Sequence, residues 1–235
     1  MTVDEIMAQL ESMGSESIRK IFLKHGVKEP VFGVKVEQLK TIQKKIKVDY
    51  QLAKDLYATG NADAMYLAGL IADDQKMTKA DLQTWVKQAV SHNISGYTVP
   101  WVAAGSKWGF ELALKWIDAP QEHVAAAGWA TLGNLVSLKD DADLDLPALK
   151  SLLSRVVKTL PSAADRVRQT MNNFVVSVGV YVPALHGDAM DVAKTMGVVK
   201  MGSGETACTV RDAAEQIQKA KSKGIIGKKK KTVKC

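Results

Sequence analysis

The sequence predicts an all-α protein, and three observations carry that expectation. Apolar residues recur at three- and four-residue spacing along almost the whole chain, the period that places them on one face of a helix. Alternating apolar and polar runs, which would mark half-buried strands, are nearly absent. Helix starts are marked by capping boxes, in which a hydroxyl side chain caps an early N–H and an acid three residues on reaches back. With 46% hydrophobic residues and a mean hydropathy near zero, the 235-residue chain has the composition of an ordinary globular protein.

Taken in order, the pattern places helices near 3–13, 15–24, 34–47, 50–59, 62–72, 79–91, 94–105, 107–117, 120–138, 147–160, 163–182, 184–196 and 210–222. Thr2 to Glu5, Thr78 to Asp81, Ser162 to Asp165 and Thr209 to Asp212 fit capping boxes. Asp49 and Asn61 suit N-caps, and Pro120 and Pro147 suit a first helical position. Two helices read as central: "HVAAAGWATLGNLVS" (123–137), whose small residues admit close neighbours, and "MNNFVVSVGVYVPAL" (171–185), which carries no formal charge. The glycine-rich "VVKMGSGETACTV" (198–210) lacks the GK[ST] of a phosphate loop and reads as a turn feeding the last helix.

From residue 34 the helices follow in pairs about forty residues long, the rhythm of a HEAT-like helical solenoid, with an irregular bundle as the alternative. The expected organisation is one domain over 1–222 and a flexible Lys-rich tail over 223–235. Residues 219–235 carry eight lysines and no acid, so the formal net charge of +7 comes largely from this end. Within the body, residues 19–47 hold nine Lys or Arg against two Glu, whereas 48–147 hold seven against thirteen acids. Such polarisation suits a phosphate backbone as partner, although a lysine-rich face is also an ordinary solvated surface. No window approaches eighteen apolar residues and the first thirty residues lack a signal-peptide pattern, so the expectation is a monomeric cytoplasmic protein away from membranes. Cys208 and Cys235 then read as free thiols. Two distant cysteines and histidines at 25, 92, 123 and 186 give no metal-ligand spacing, and no cofactor is implied.

All five tryptophans (85, 101, 108, 116, 129) fall between residues 85 and 129. Trp85, Trp116 and Trp129 sit at helical core positions, while Tyr97, Trp101 and Trp108 in "GYTVPWVAAGSKWG" (96–109) flank a proline and are candidates to line a groove.

The stretch 32–73, "FGVKVEQLKTIQKKIKVDYQLAKDLYATGNADAMYLAGLIAD", resembles the AlkD-like DNA alkylation repair family. Phe32, Gly33, Val34, Lys35, Leu39 and Lys40 follow that family's FGV(K/R)-x-x-x-L(K/R) order. Leu52, Ala53, Leu56, Tyr57, Thr59 and Gly60 then match its LA-x-x-L(W/Y)-x-(S/T)G segment, and Asp63, Ala64, Leu67 and Ala68 its (E/D)A-x-x-LA helix. The resemblance implies HEAT-like repeats forming a solenoid curved around duplex DNA, and in catalytic members the release of N3- or N7-alkylpurines. Such chemistry uses a carboxylate to stabilise oxocarbenium character, with aromatic faces to hold sugar and cationic base. The catalytic members place a Trp and an Asp four residues apart. Here, by helix order, the acid falls at or near Pro100. The helix that should carry paired arginines reads "VAAAGWATL" (124–132), and the later aromatic-bearing helix reads "FVVSVGVYV" (174–182).

Asp118 and Glu122 are the substitute carboxylates closest in sequence to Trp116 and Trp129, with a helix cap and a first-turn acid as their bland roles. His123 is a further possible acid or base. The candidate DNA contacts are Lys35, Lys40, Lys44 and Lys47 on the first family-like helix, Arg155, Arg166 and Arg168 as a second arc, and Lys228, Lys229, Lys230 and Lys231 in the tail. Three functions compete: an alkylpurine glycosylase, a non-catalytic binder of DNA structures, and a helical-repeat scaffold for proteins.

Overall fold

The computed structural model describes residues 1–202 and 210–235, and the secondary structure found there is helical, as the apolar period predicts. Thr209, half of one expected capping box, and Cys208 lie outside the described residues. The single array expected over 1–222 gathers into two compact units: residues 1–108 with 234–235, and residues 109–233.

In the first unit, α1 (Val3–Met13), α2 (Glu16–Lys24), α3 (Val36–Ile46), α4 (Tyr50–Ala58), α5 (Ala62–Ile71) and α6 (Lys79–Gln88) precede a π-helical turn, Ile94–Thr98, that runs into α7 (Val99–Gly105). Helix α5, "ADAMYLAGLI", is buried along almost its whole length, and α1, α3, α4, the π turn and α7 pack on it. Its small residues make this possible: a Cβ on Gly69 would stand 2.3 Å from Cγ2 of Thr98, so the π turn approaches over a bare Cα. Asn61 caps α5 by accepting from the N–H groups of Asp63 and Ala64, and Asp49 caps α4 through Leu52 N–H. The capping boxes of Thr2 and Thr78 are both formed.

In the second unit, α8 (Gly109–Trp116), α9 (Glu122–Leu138), α10 (Leu146–Thr159), α11 (Asp165–Tyr181), α12 (His186–Met196) and α13 (Ala213–Ser222) pack around α9 and α11, the two helices the sequence marks as central. Gly128 takes the backbone of α8 against it, and Trp129 meets Phe174 with ring centroids 5.3 Å apart. Asp145 caps α10 through Ala148 N–H, with Pro147 in the first turn. Several expected starts move. Residues Leu160–Ser162 form a 3-10 turn, so α11 begins at Asp165 after Ala164 and the Ser162 box does not form. Helix α9 begins at Glu122 rather than at Pro120, and α13 is capped by Asp212, which accepts from Glu215 N–H.

The lysine-rich end, read from composition as flexible, makes specific contacts. Helix α13 closes with Gly224 N–H donating to Lys221 O and Ile225 N–H to Ala220 O, the paired bonds of a Schellman motif with Gly224 at φ +63°. Beyond it, Gly227 N–H donates to Val180 O and Lys230 N–H to Ser137 O. A run of like charges resembles a solvated tail in sequence because the carbonyls that hold it come from residues far away in the chain.

Candidate nucleic-acid interface

The family-like segment is built on one buried carboxylate. Asp63, at the start of α5, accepts the backbone N–H groups of Phe32 (2.7 Å), Gly33 (3.1 Å) and Val34 (3.0 Å). Burial pushes its carboxyl up from the usual range, and the three N–H donors oppose that by favouring the ionised form. Gly33 has φ +79°, and a Cβ there would stand 2.5 Å from the backbone N of Arg19. The FGV turn and the acid thirty residues later are thus one structural device that delivers Lys35 to the start of α3. The motif's letters alone do not reveal why position 63 requires an acid, because its three N–H partners lie about thirty residues earlier.

Helix α3 buries Leu39 and Ile42 and turns its lysines outward. Lys44 and Lys47 are exposed and Lys40 is half-buried, but α3 ends at Ile46 and Lys47, its C-cap, takes φ +67°, so it leaves the helical line expected of positions 40, 44 and 47. Lys35 is also exposed, its ammonium 3.8 Å from Glu37. A small, mostly apolar pocket lies beside this helix, lined by Val34, Leu39, Asp63, Tyr66 and Ile94.

The aromatic segment separates into one exposed ring and one buried ring. Pro100 has no N–H to give to the carbonyl of Gly96, and the chain before it widens into the π turn, where Val99 N–H reaches back to Ile94 O. Tyr97, on this turn, is 45% exposed, whereas Trp101 is 4% exposed. Their rings lie 6.2 Å apart; His92 edges onto Tyr97 at 5.9 Å and Tyr66 onto Trp101 at 5.3 Å. The Tyr66 hydroxyl lies 3.0 Å from Cys235 Sγ, and Lys234 Nζ bonds Ala72 O and Asp74. Trp108 is half-buried, with the ammonium groups of Lys79 and Lys107 4.5 and 4.7 Å from its centroid. Pro100 itself is buried.

Trp85, Trp116 and Trp129 are core residues. Trp85 stacks on Tyr57 at 4.1 Å, and the Tyr57 hydroxyl donates to Trp85 O at 2.6 Å. Burial holds that phenol well above its usual pKa.

Both substitute carboxylates have structural partners in the second unit. Asp118, largely exposed, pairs with Arg155, whose guanidinium carbon lies 6.0 Å from the Trp129 ring centroid. Glu122 accepts the backbone N–H of Arg166 at 2.9 Å, which serves an N–H at the start of α11 that no side-chain cap reaches. Arg168 pairs with Asp165, whose other oxygen accepts Gly202 N–H, and these partners hold the Asp165 carboxyl below its usual range. Arg166 bonds Gln169. His123 is half-buried in the first turn of α9. Of the tail lysines, Lys228, Lys230 and Lys231 are exposed, while Lys229 is turned inward. Among the described residues, no group of three His, Cys, Asp or Glu is arranged to hold a metal ion, and no helix is long and apolar enough to cross a membrane.

The model of the DNA alkylation repair enzyme family matches residues 6–217. An uncharacterized protein of Listeria innocua and another of Listeria monocytogenes are each 30% identical over 229 residues, covering 95% of this chain and 99% of theirs. A solved structure, described as representing a new family of proteins related to the HEAT-like repeat DNA glycosylases with affinity for branched DNA structures, is 35% identical. It superposes with a TM-score of 0.91 over the whole of both chains, so the fold is HEAT-like.

Proposed function

The chain belongs to the DNA alkylation repair enzyme family, and from that premise we propose that it binds branched duplex DNA through the phosphate backbone without excising bases. The observation that carries this reading is Pro100, a buried side chain with no ionisable group, at or near which the resemblance places the acid of catalytic members. The two carboxylates that could stand in are engaged by Arg155 and by the α11 backbone. A glycosylase needs a carboxylate free to face developing positive charge. The affinity for branched DNA of the protein with 35% identity supports the choice of substrate.

In this reading Lys40 and Lys44 of α3 and the flanking Lys35 and Lys47 contact phosphates, with Arg155, Arg166 and Arg168 as further contacts, and Tyr97 offers a ring beside the backbone. Such contacts read charge and shape rather than sequence.

The test incubates the protein with duplex DNA bearing 7-methylguanine or 3-methyladenine and measures released base beside binding across a salt series. The expected result is salt-sensitive binding with no release above the buffer control. Release that is abolished by Asp118→Asn or Glu122→Gln would establish the glycosylase instead. Absence of duplex binding at low salt would favour the protein scaffold.

A further inference from the structure

We infer that residues 227–231 are a fixed phosphate-contacting ridge, in which Lys229 is the anchor and Lys228 and Lys231 are the ammonium groups offered to a DNA backbone. The inference rests on the DNA-binding reading and assigns part of that contact to a built element rather than a loose tail.

The anchor is Lys229. Its Nζ donates to Val136 O at 2.9 Å and Tyr181 O at 2.8 Å, and pairs with Asp141 at 2.8 Å. Val136 and Tyr181 lie in the last turns of α9 and α11, where helix carbonyls have no intrahelical partner and the helix dipole is negative. One cation therefore closes two helix ends, and its side chain is only 16% exposed. The backbone on either side is tied to the same ends through Gly227 N–H to Val180 O and Lys230 N–H to Ser137 O. Gly227 takes φ +78°, and a Cβ there would stand 2.7 Å from Cγ of Pro183, so the segment is seated where only glycine fits.

With Lys229 turned in, its neighbours are left outside. Lys228 and Lys231 are exposed, and Lys230 lies over the Tyr181 ring with Nζ 5.4 Å from the centroid. No acid occurs between residues 219 and 235. A lysine held on an ordered backbone loses less freedom on meeting a phosphate than one on a free tail, so the same charges bind more tightly when the ridge is fixed.

The experiment measures binding of the full chain to a fluorescent three-way DNA junction by anisotropy, between about 50 and 200 mM salt. Wild type is compared with the double variant Lys228→Gln/Lys231→Gln and with Lys229→Met. The double variant is expected to bind roughly tenfold more weakly at the low-salt end, with the slope of log K against log salt shallower by about 1–2, as loss of two phosphate contacts requires. Lys229→Met is expected to weaken binding several-fold and to expose Lys228, Lys230 and Lys231 to trypsin while the body stays helical by circular dichroism. Wild-type affinity and slope in the double variant would overturn the ridge while leaving the DNA-binding reading intact. Failure of wild type to bind any junction would overturn both. If Lys229→Met does not fold, the double variant, altered only at exposed positions, decides alone.

Discussion

The Asp63 carboxylate holds the backbone N–H of Gly33 at 3.1 Å, in a turn where only glycine fits. Removing the acid leaves three N–H groups, those of Phe32, Gly33 and Val34, without their acceptor. Asp63→Ala is therefore expected to destabilise by about 3 kcal/mol, and Gly33→Ala by a comparable amount through positive φ and backbone collision. Thermal unfolding checks both, with Tm expected to fall by roughly 5–15 °C. An unchanged Tm in Asp63→Ala would show that the motif acid serves something other than the fold.

Acid should weaken a second network in the same unit. Burial pushes the Asp81 carboxyl up, but donors from Thr78, Lys54 and Tyr50 outweigh it and hold its pKa at about 2. Tyr50 and Thr78 hydroxyls donate at 2.8 and 2.7 Å, and Lys54 Nζ lies 2.9 Å away. Because the folded pKa is depressed below the unfolded value of about 3.9, the stabilisation is fully present above that value and is lost as pH falls from about 4 toward 2. Asp81→Asn is expected to cost on the order of 1 kcal/mol at pH 7, part of the network being open to water, and little at pH 2. Urea midpoints at the two pH values measure the difference.

Restoring an acid at position 100 is not expected to restore base excision. Pro100 is buried and its missing N–H accompanies the π turn that presents Tyr97. Pro100→Asp is expected to lower stability by about 2 kcal/mol or more, since a carboxylate would enter an apolar site, and to release no methylated base. Release from that variant would mean that one substitution separates this chain from a glycosylase.

Glu122 is expected to behave as a helix cap. Glu122→Ala leaves Arg166 N–H without its acceptor and should cost about 1 kcal/mol, whereas Glu122→Gln keeps an oxygen acceptor and should cost less than half of that. Asp118→Asn, at a largely exposed ion pair, should change stability by under about 1 kcal/mol. Equal losses in Glu122→Ala and Glu122→Gln would argue that the charge matters more than the cap.

How much of this was legible in the sequence follows from how local each feature is. The helices and the caps of Thr2, Asp49, Asn61 and Thr78 depend on neighbours within four residues, and so they can be seen in the letters. The Ser162 cap failed because Leu160–Ser162 closes a 3-10 turn first, a competition that spacing alone does not decide. The partition of Tyr97 and Trp101 into exposed and buried rings depends on the π turn that precedes Pro100, and the pattern shows only a helix from 94 to 105. The partners of Asp118 and Glu122 are hidden in the letters because Arg155 and Arg166 lie 37 and 44 residues further along. The lysine-rich end hides its partners for the same reason, its acceptors being 93 residues away for Lys229 and 162 for Lys234.

Preference for branched DNA is measured by competition between a three-way junction and a linear duplex of equal length and base composition for the full chain at about physiological salt. The junction is expected to compete at a concentration at least several-fold lower than the duplex, and Lys40→Gln/Lys44→Gln is expected to weaken binding to both. Equal competition by junction and duplex, or no binding to either, would rule out the proposed recognition of branched DNA.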